Sequence, residues 1–358
     1  MSLDQTGVLP ESMLAHFKSD HGAVAAFLLK DGHTQFTLSG DTGSDAACDP
    51  GDVVFEIGSI TKVFTGILLS VLVEEGRIDP NRPLCEMIPA LEGTQPWLTP
   101  NRLATHSAGL PKLHIPYWKA LLLPVGDDFY ADFSRDDLFD WVRRWRGAAP
   151  KPNAYAYSNM GFGLLGEALA AHEGRDFGDL LREKVLDPIG LNDTSAHLEG
   201  DRTHRFAQPH DAVGRPVKPW TFKAIAAAGA LRSTPNDMAQ FARRVINAIR
   251  EPHDSLDKAI CRSALPAQRG TGRDATESFT QCLGWISIRW DADRAPILFH
   301  NGGTAGMTSE LYVCPEKRAA IGIFASNGLA AGFWSGLKFG FQSPQKAASD
   351  VFEATSAT

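Results

Sequence analysis

Residues Ser59 to Glu75 read SITKVFTGILLSVLVEE, and apolar side chains fall on nearly every face of the helix that this stretch predicts. A helix without a polar face belongs inside a domain, so its first residue is held rigidly. Ser59 and Lys62 open it, three residues apart, which puts a hydroxyl and an amine on one helix face within contact range.

Upstream, AVAAFLL runs through Lys30-Asp31-Gly32 into TQFTLSG, the pattern of a β-hairpin over residues 23 to 40. Downstream, helical periodicity recurs in RDDLFDWVRRW near 135 to 145, GFGLLGEALAAH at 161 to 172, DFGDLLREKVL at 176 to 186 and DMAQFARRVINAI at 237 to 249. The last has a clear start. Ser233 or Thr234 can cap it, Pro235 suits its first turn, and Asp237 favours the positive end of its dipole. From about residue 279 the pattern returns to strands, in FTQCLGWISIRW, APILFHNGG and SELYVCPEKRAAIGIFASN, with Pro315-Glu316-Lys317 as a hairpin turn.

Strands at both ends with helices between them predict an α/β fold of the α+β type. One antiparallel sheet is expected from residues 1–80 and 265–340, flanked by helices, with a mainly helical lobe from 81–264 and a site between the two. The remainder, 341–358, is polar and small and reads as a flexible tail.

Composition narrows the class of function. A content of 43% hydrophobic residues suffices for a large core, and 35 basic against 42 acidic side chains leave a net charge of −7 with no polybasic run. Nucleic acid is therefore not an expected partner. The N-terminal stretch lacks a basic start followed by an apolar run, and nowhere do ~18 apolar residues follow one another. A soluble, cytoplasmic protein without a membrane span is the expectation. The five cysteines are scattered and without CxxC spacing, which argues against a disulfide framework or zinc cluster. No histidine pattern has metal-ligand spacing and no phosphate loop is present, since Gly270-Thr271-Gly272 lacks the surrounding pattern, so neither metal nor cofactor is expected.

Chemistry concentrates in three places. A serine hydroxyl is a poor nucleophile until a base takes its proton, and Lys62 can do so if burial lowers its pKa from ~10.4. Backbone N–H groups at the same helix start favour an oxyanion formed at Ser59. The motif SxxK also occurs at Ser255, Ser335 and Ser343, but none of these opens a long buried helix. Second, Tyr157-Ser158-Asn159 ends a non-helical segment as a helix begins. A phenol can relay protons and an amide can orient both a lysine and a substrate carbonyl. Third, His300-Asn301-Gly302-Gly303 ends a predicted strand, where paired glycines allow close approach to the backbone and the histidine adds a donor or acceptor. His172-Glu173-Gly174 has the same HxG pattern but reads as a helix terminus with a glycine cap.

These elements, in this order, resemble the serine β-lactamase and penicillin-binding-protein family, particularly its class C branch with the related D,D-peptidases, D-amino-acid amidases and β-lactamase-like carboxylesterases. The resemblance covers roughly residues 20 to 330. It extends to FEIGSITK at Phe55 to Lys62, THSAGLP at Thr105 to Pro111, PIGLNDT at Pro188 to Thr194, AGALRSTPNDM at Ala228 to Met238 and HNGGTAGM at His300 to Met307. It implies a β-lactamase/transpeptidase-like fold and a catalytic set of Ser59, Lys62, Tyr157 and His300. Ser59 is then acylated, Lys62 and Tyr157 share the acid and base work, and Asn159, Gly302 and Gly303 bind substrate. The N–H groups of Ser59 and Gly303 would form the oxyanion hole.

One departure bears on the substrate. Many lactamases and peptidases carry lysine where this chain has His300, and a histidine of reference pKa ~6.5 offers a substrate carboxylate no permanent charge. A serine-dependent hydrolase of a small-molecule ester or amide, with thioesters and lactams behind them, is the resulting expectation. Two alternatives keep the fold. The first is a transacylase passing the acyl group to an amine or alcohol, with Tyr117, Trp118 and Trp220 lining an acceptor pocket; the second is a binding protein without catalysis. A nucleophile elbow at Ser107 has the wrong surroundings, following one Pro/Gly-rich loop and leading to another.

Overall fold

The computed structural model describes residues 9, 14, 17–44, 48–116, 128, 130–151, 154–266, 268–270, 278–289, 291, 293–328 and 344–354. Its main sheet has eight antiparallel strands in the order β2-β1-β10-β9-β8-β7-β6-β5. β1 (Ala23–Lys30) and β2 (His33–Gly40) form the hairpin, closed by Asp31 and Gly32, both at positive φ, as a two-residue turn requires. β5 (Gln268–Gly270), β6 (Ser278–Gln281), β7 (Ile286–Arg289), β8 (Ile297–Gly303), β9 (Thr308–Cys314) and β10 (Ala319–Ala325) come from the other end of the chain. β10 pairs with β1 and so joins the two ends into one sheet. A separate two-stranded ribbon pairs β3 (Phe55–Glu56) with β4 (Arg232–Ser233), just before the buried helix.

Both faces of the sheet are covered, which is why AVAAFLL is apolar throughout rather than alternating. Ala25, Phe27 and Leu29 point into the larger core shared with the helices, whereas Val24, Ala26 and Leu28 point into a smaller core on the opposite face. Helix α1 (Thr61–Glu74) follows a 3-10 turn at Gly58–Ile60, and every residue from Thr61 to Leu72 is buried. Helices α2 (Arg135–Arg144) and α3 (Asn159–Glu173) belong to the helical middle. α4 (Pro235–Arg250) starts with Thr234 as its cap and packs on the sheet, its Phe241 ring 4.3 Å from that of Phe64 on α1. α5 (Ser255–Ala264) packs beside both. No helix among the described residues is long and apolar enough to cross a membrane.

The C-terminal stretch departs from the sequence reading. Instead of a flexible tail, Pro344–Ala354 forms helix α6, which helps to cover the outer face of the sheet. Ala348, Val351 and Phe352 stand at the i, i+3, i+4 spacing of one helix face and are buried. Arg294 to Asp350 and Lys317 to Glu353 clip the helix to the loop before β8 and to the turn between β9 and β10. Average polarity conceals this short apolar stripe.

Candidate active site

The nucleophile turn is held by backbone packing. Gly58 has φ +49°, and a Cβ there would stand 2.6 Å from the Gly303 nitrogen. A Cβ on Gly302 would be 2.0 Å from the Ile57 carbonyl. Only glycines permit this contact, which brings the end of β8 against the residue preceding Ser59. Ser309 Oγ ties the same turn down by donating to the Ile57 carbonyl at 2.9 Å.

Two side chains meet at Ser59 Oγ. Lys62 Nζ lies 2.9 Å from Ser59 Oγ and donates to the Ala228 carbonyl at 2.6 Å. Tyr157 Oη lies 2.8 Å from the same Ser59 Oγ. The Lys62 amine sits 5.0 Å from the centre of the Tyr157 ring and 5.7 Å from that of Phe162.

Burial decides the protonation of this group. It drives the Lys62 amine well below the ordinary lysine range, with a second push from the positive charge of Lys112. No salt bridge to Lys62 occurs among the described residues to oppose it. Burial also raises the Tyr157 phenol, against a smaller opposite effect from its bond to Ser59. A neutral amine has two protons and one lone pair. Lys62 donates to the Ala228 carbonyl and to Ser59 Oγ, which leaves the lone pair of a neutral amine beside the serine, while the neutral phenol donates to Ser59 Oγ.

Tyr157 is delivered by the start of α3. Ser158 caps that helix by accepting from the Gly161 N–H at 2.8 Å, and its own hydroxyl donates to the Pro111 carbonyl at 2.7 Å. Behind Tyr157 lies His106, whose ring centre is 4.5 Å away.

His300 and Asn159 make their hydrogen bonds outside this triad. His300 is buried, and its Nδ1 bonds the Asn301 carbonyl at 2.6 Å. A carbonyl only accepts, so Nδ1 carries the proton and Nε2 keeps a lone pair. Burial is the main cause that lowers its pKa to about 3; a proton on Lys62 would push it the same way, and the backbone bond pulls the other way. The ring is therefore neutral across the physiological range, far from the titration near neutrality that the free side chain would show. Asn159 turns its Nδ2 to the Tyr130 hydroxyl, 3.2 Å away, and its Oδ1 is buried with no hydrogen-bond partner.

The competing motifs do not converge here. Ser255 and Lys258 are exposed at the start of α5, and Gly174 is the left-handed cap of α3. Ser107 Oγ pairs with Thr105 Oγ1 at 2.9 Å and holds its loop. Trp220 is half-buried, packed edge-on against Phe222 and Tyr130. Ser335, Lys338, Ser343, Tyr117 and Trp118 lie outside the described residues. Among those described, no group of three or more His, Cys, Asp or Glu side chains is placed to hold a metal ion.

The family model described as Beta-lactamase matches residues 12–332. The chain belongs to the β-lactamase family. It is 24% identical over 306 residues to penicillin-binding protein 4 of Amycolatopsis lactamdurans, covering 80% of this chain and 75% of that one. To the D-alanyl-D-alanine-carboxypeptidase/endopeptidase AmpH of Escherichia coli K12 it is 28% identical over 297 residues, covering 76% and 70%. The crystal structure of a class C β-lactamase from Rhodobacter sphaeroides shares the fold, with a TM-score of 0.75 at 22% identity over 97% of both chains. Serine acyl hydrolysis is the coarse activity that family membership gives this chain.

Three partners in this β-lactamase-family site were not singled out from sequence. The Ala228 carbonyl has no side-chain signature. Tyr130 is one aromatic among many, and its buried hydroxyl reaches Asn159 from a distant segment. His106 lies within THSAGLP, where attention falls on the neighbouring serine.

Proposed function

We propose that this protein hydrolyses small esters or amides through an acyl-enzyme on Ser59. The observation that carries the reading is the double contact of Ser59 Oγ, 2.9 Å from Lys62 Nζ and 2.8 Å from Tyr157 Oη. Neutral Lys62 takes the Ser59 proton as Oγ bonds to the substrate carbonyl carbon. The carbonyl oxygen becomes an oxyanion facing the N–H groups of Ser59 and Gly303. As the bond to the leaving group breaks, Tyr157 gives that group its proton, and the proton held by Lys62 restores the phenol. Water then repeats the sequence on the acyl-enzyme, with Lys62 again as base. Asn159 Oδ1, buried without a partner, is the acceptor for a donor group on the acyl part of the substrate.

Neutral His300 supports the choice of substrate. A substrate carboxylate meets no fixed charge there, so its desolvation goes uncompensated. Uncharged esters and amides avoid that loss. Matched ester pairs that differ only in a carboxylate beside the scissile bond test this reading. We expect the uncharged member to have the higher kcat/KM; a preference for the carboxylate would overturn the substrate assignment.

A further inference from the structure

His106 does not touch Ser59, yet it is built into the backbone on either side of Tyr157. Its carbonyl accepts the Ala156 N–H at 2.8 Å, and its Nδ1 accepts the Ser158 N–H at 3.1 Å. These two bonds fix the Tyr155–Ala156 and Tyr157–Ser158 peptide groups, one before and one after the Tyr157 side chain. The ring closes the cage, with centres 4.5 Å from Tyr157 and 5.0 Å from Phe162, the same two rings that wall in the Lys62 amine.

The backbone of His106 also carries a cost. Its φ of +54° lies in the left-handed region, where a non-glycine residue is strained unless the surroundings hold it. His106 N–H bonds to the Leu103 carbonyl at 3.3 Å, and the adjacent Thr105 and Ser107 hydroxyls bond to each other at 2.9 Å. The loop is thus pinned at both sides of the histidine.

We infer that His106 is a positioning residue, which aims the Tyr157 hydroxyl at Ser59 by holding the backbone on both sides of it. The inference rests on the reading above, in which Tyr157 donates a proton to the leaving group. It also requires an unprotonated Nδ1, since a protonated one cannot accept from Ser158. Burial lowers the pKa of the imidazole well below its usual range, and a proton on Lys62 or His300 would push it the same way. The working tautomer therefore carries its proton on Nε2.

Two variants separate positioning from bulk packing. Asparagine tolerates left-handed backbone and presents Oδ1 close to where Nδ1 stands, so His106→Asn keeps the Ser158 bond and loses the ring. His106→Ala loses both. A displacement of ~1 Å at a reacting group can cost ~10²-fold in rate, so we expect His106→Ala to lower kcat by that order with KM little changed. His106→Asn should recover most of it. Both variants thin the aromatic wall around Lys62, so the low-pH limb of their rate profiles should move towards alkaline pH.

Tyr157→Phe and Ser59→Ala, measured alongside, keep the two levels apart. If Tyr157→Phe retains wild-type turnover, the reading of Tyr157 has failed. If Tyr157→Phe is crippled while His106→Ala keeps its kcat, or His106→Asn is as impaired as His106→Ala in folded protein, the positioning role is overturned. Thermal melting of each variant establishes that folded protein is compared, and His106→Asn keeps the test decisive if the alanine variant does not fold.

Discussion

Lys62 Nζ stands 2.9 Å from Ser59 Oγ while fully buried, with a backbone carbonyl on its other side. Leaving water opposes the protonation of an amine so placed, which suits it to the base role proposed above. The buried phenol of Tyr157 completes the arrangement as an acid that stays protonated.

Removing that base isolates its contribution. General-base catalysis is worth ~10² to 10⁴-fold, and Lys62→Ala should lose turnover on that scale while circular dichroism shows an intact fold. Turnover close to that of the wild type would remove Lys62 from the mechanism.

The depressed amine also sets a pH profile. Activity needs neutral Lys62, so kcat/KM should rise with pH through a value below the ~10.4 of a free lysine. A rate that climbs only in the range of exposed lysines would contradict a neutral amine at rest.

His300 connects protonation to stability. Its folded pKa of about 3 lies below the unfolded value of ~6.5, so the unfolded chain binds more protons between the two. Stability should therefore rise with pH across that window and fall on acidification. Replacing His300 with glutamine should flatten the acid side of a melting-temperature profile; an unchanged slope would mean that this ring is not held neutral. His300→Lys, in turn, should raise relative activity on substrates with a free carboxylate.

Glu310 gives the opposite sign. Burial pushes its pKa up to about 7, with Tyr312 as its hydrogen-bond donor. A raised carboxyl pKa contributes stability at low pH that is lost as pH rises through about 7. Glu310→Gln should thus raise the melting temperature at alkaline pH and leave it little changed in acid. Equal effects at both ends of the range would rule this linkage out.

Much of this arrangement was legible because several segments carried an unambiguous period. The fully apolar helix after Ser59 and the hairpins at both ends announced a buried helix against an antiparallel sheet. The order of Ser59, Tyr157 and His300 drew the site together across 242 residues of chain. What escaped the sequence was tertiary. The stripe of Ala348, Val351 and Phe352 is too short to stand out until a strand face needs covering. The Ala228 carbonyl and the acceptor role of His106 depend on where backbone passes, which side-chain chemistry does not reveal. Burial, too, altered the role of His300, turning a side chain that titrates near neutrality into a fixed neutral one.

Helix α6 supplies a test of the tertiary part alone. Phe352 is buried against the sheet, and truncating such an aromatic side chain costs ~3–5 kcal/mol. Phe352→Ala should lower stability to denaturant on that scale without a comparable loss of kcat. A neutral substitution would mean that the tail does not dock.

The central claim is that Ser59 carries the acyl group. Intact-mass measurement followed by peptide mapping, after brief exposure to a fluorophosphonate or an activated ester, tests it most directly. A single covalent adduct on the peptide containing Ser59, absent in Ser59→Ala and retained in Ser107→Ala, is the expected result. An adduct that maps elsewhere, or that persists in Ser59→Ala, would contradict it.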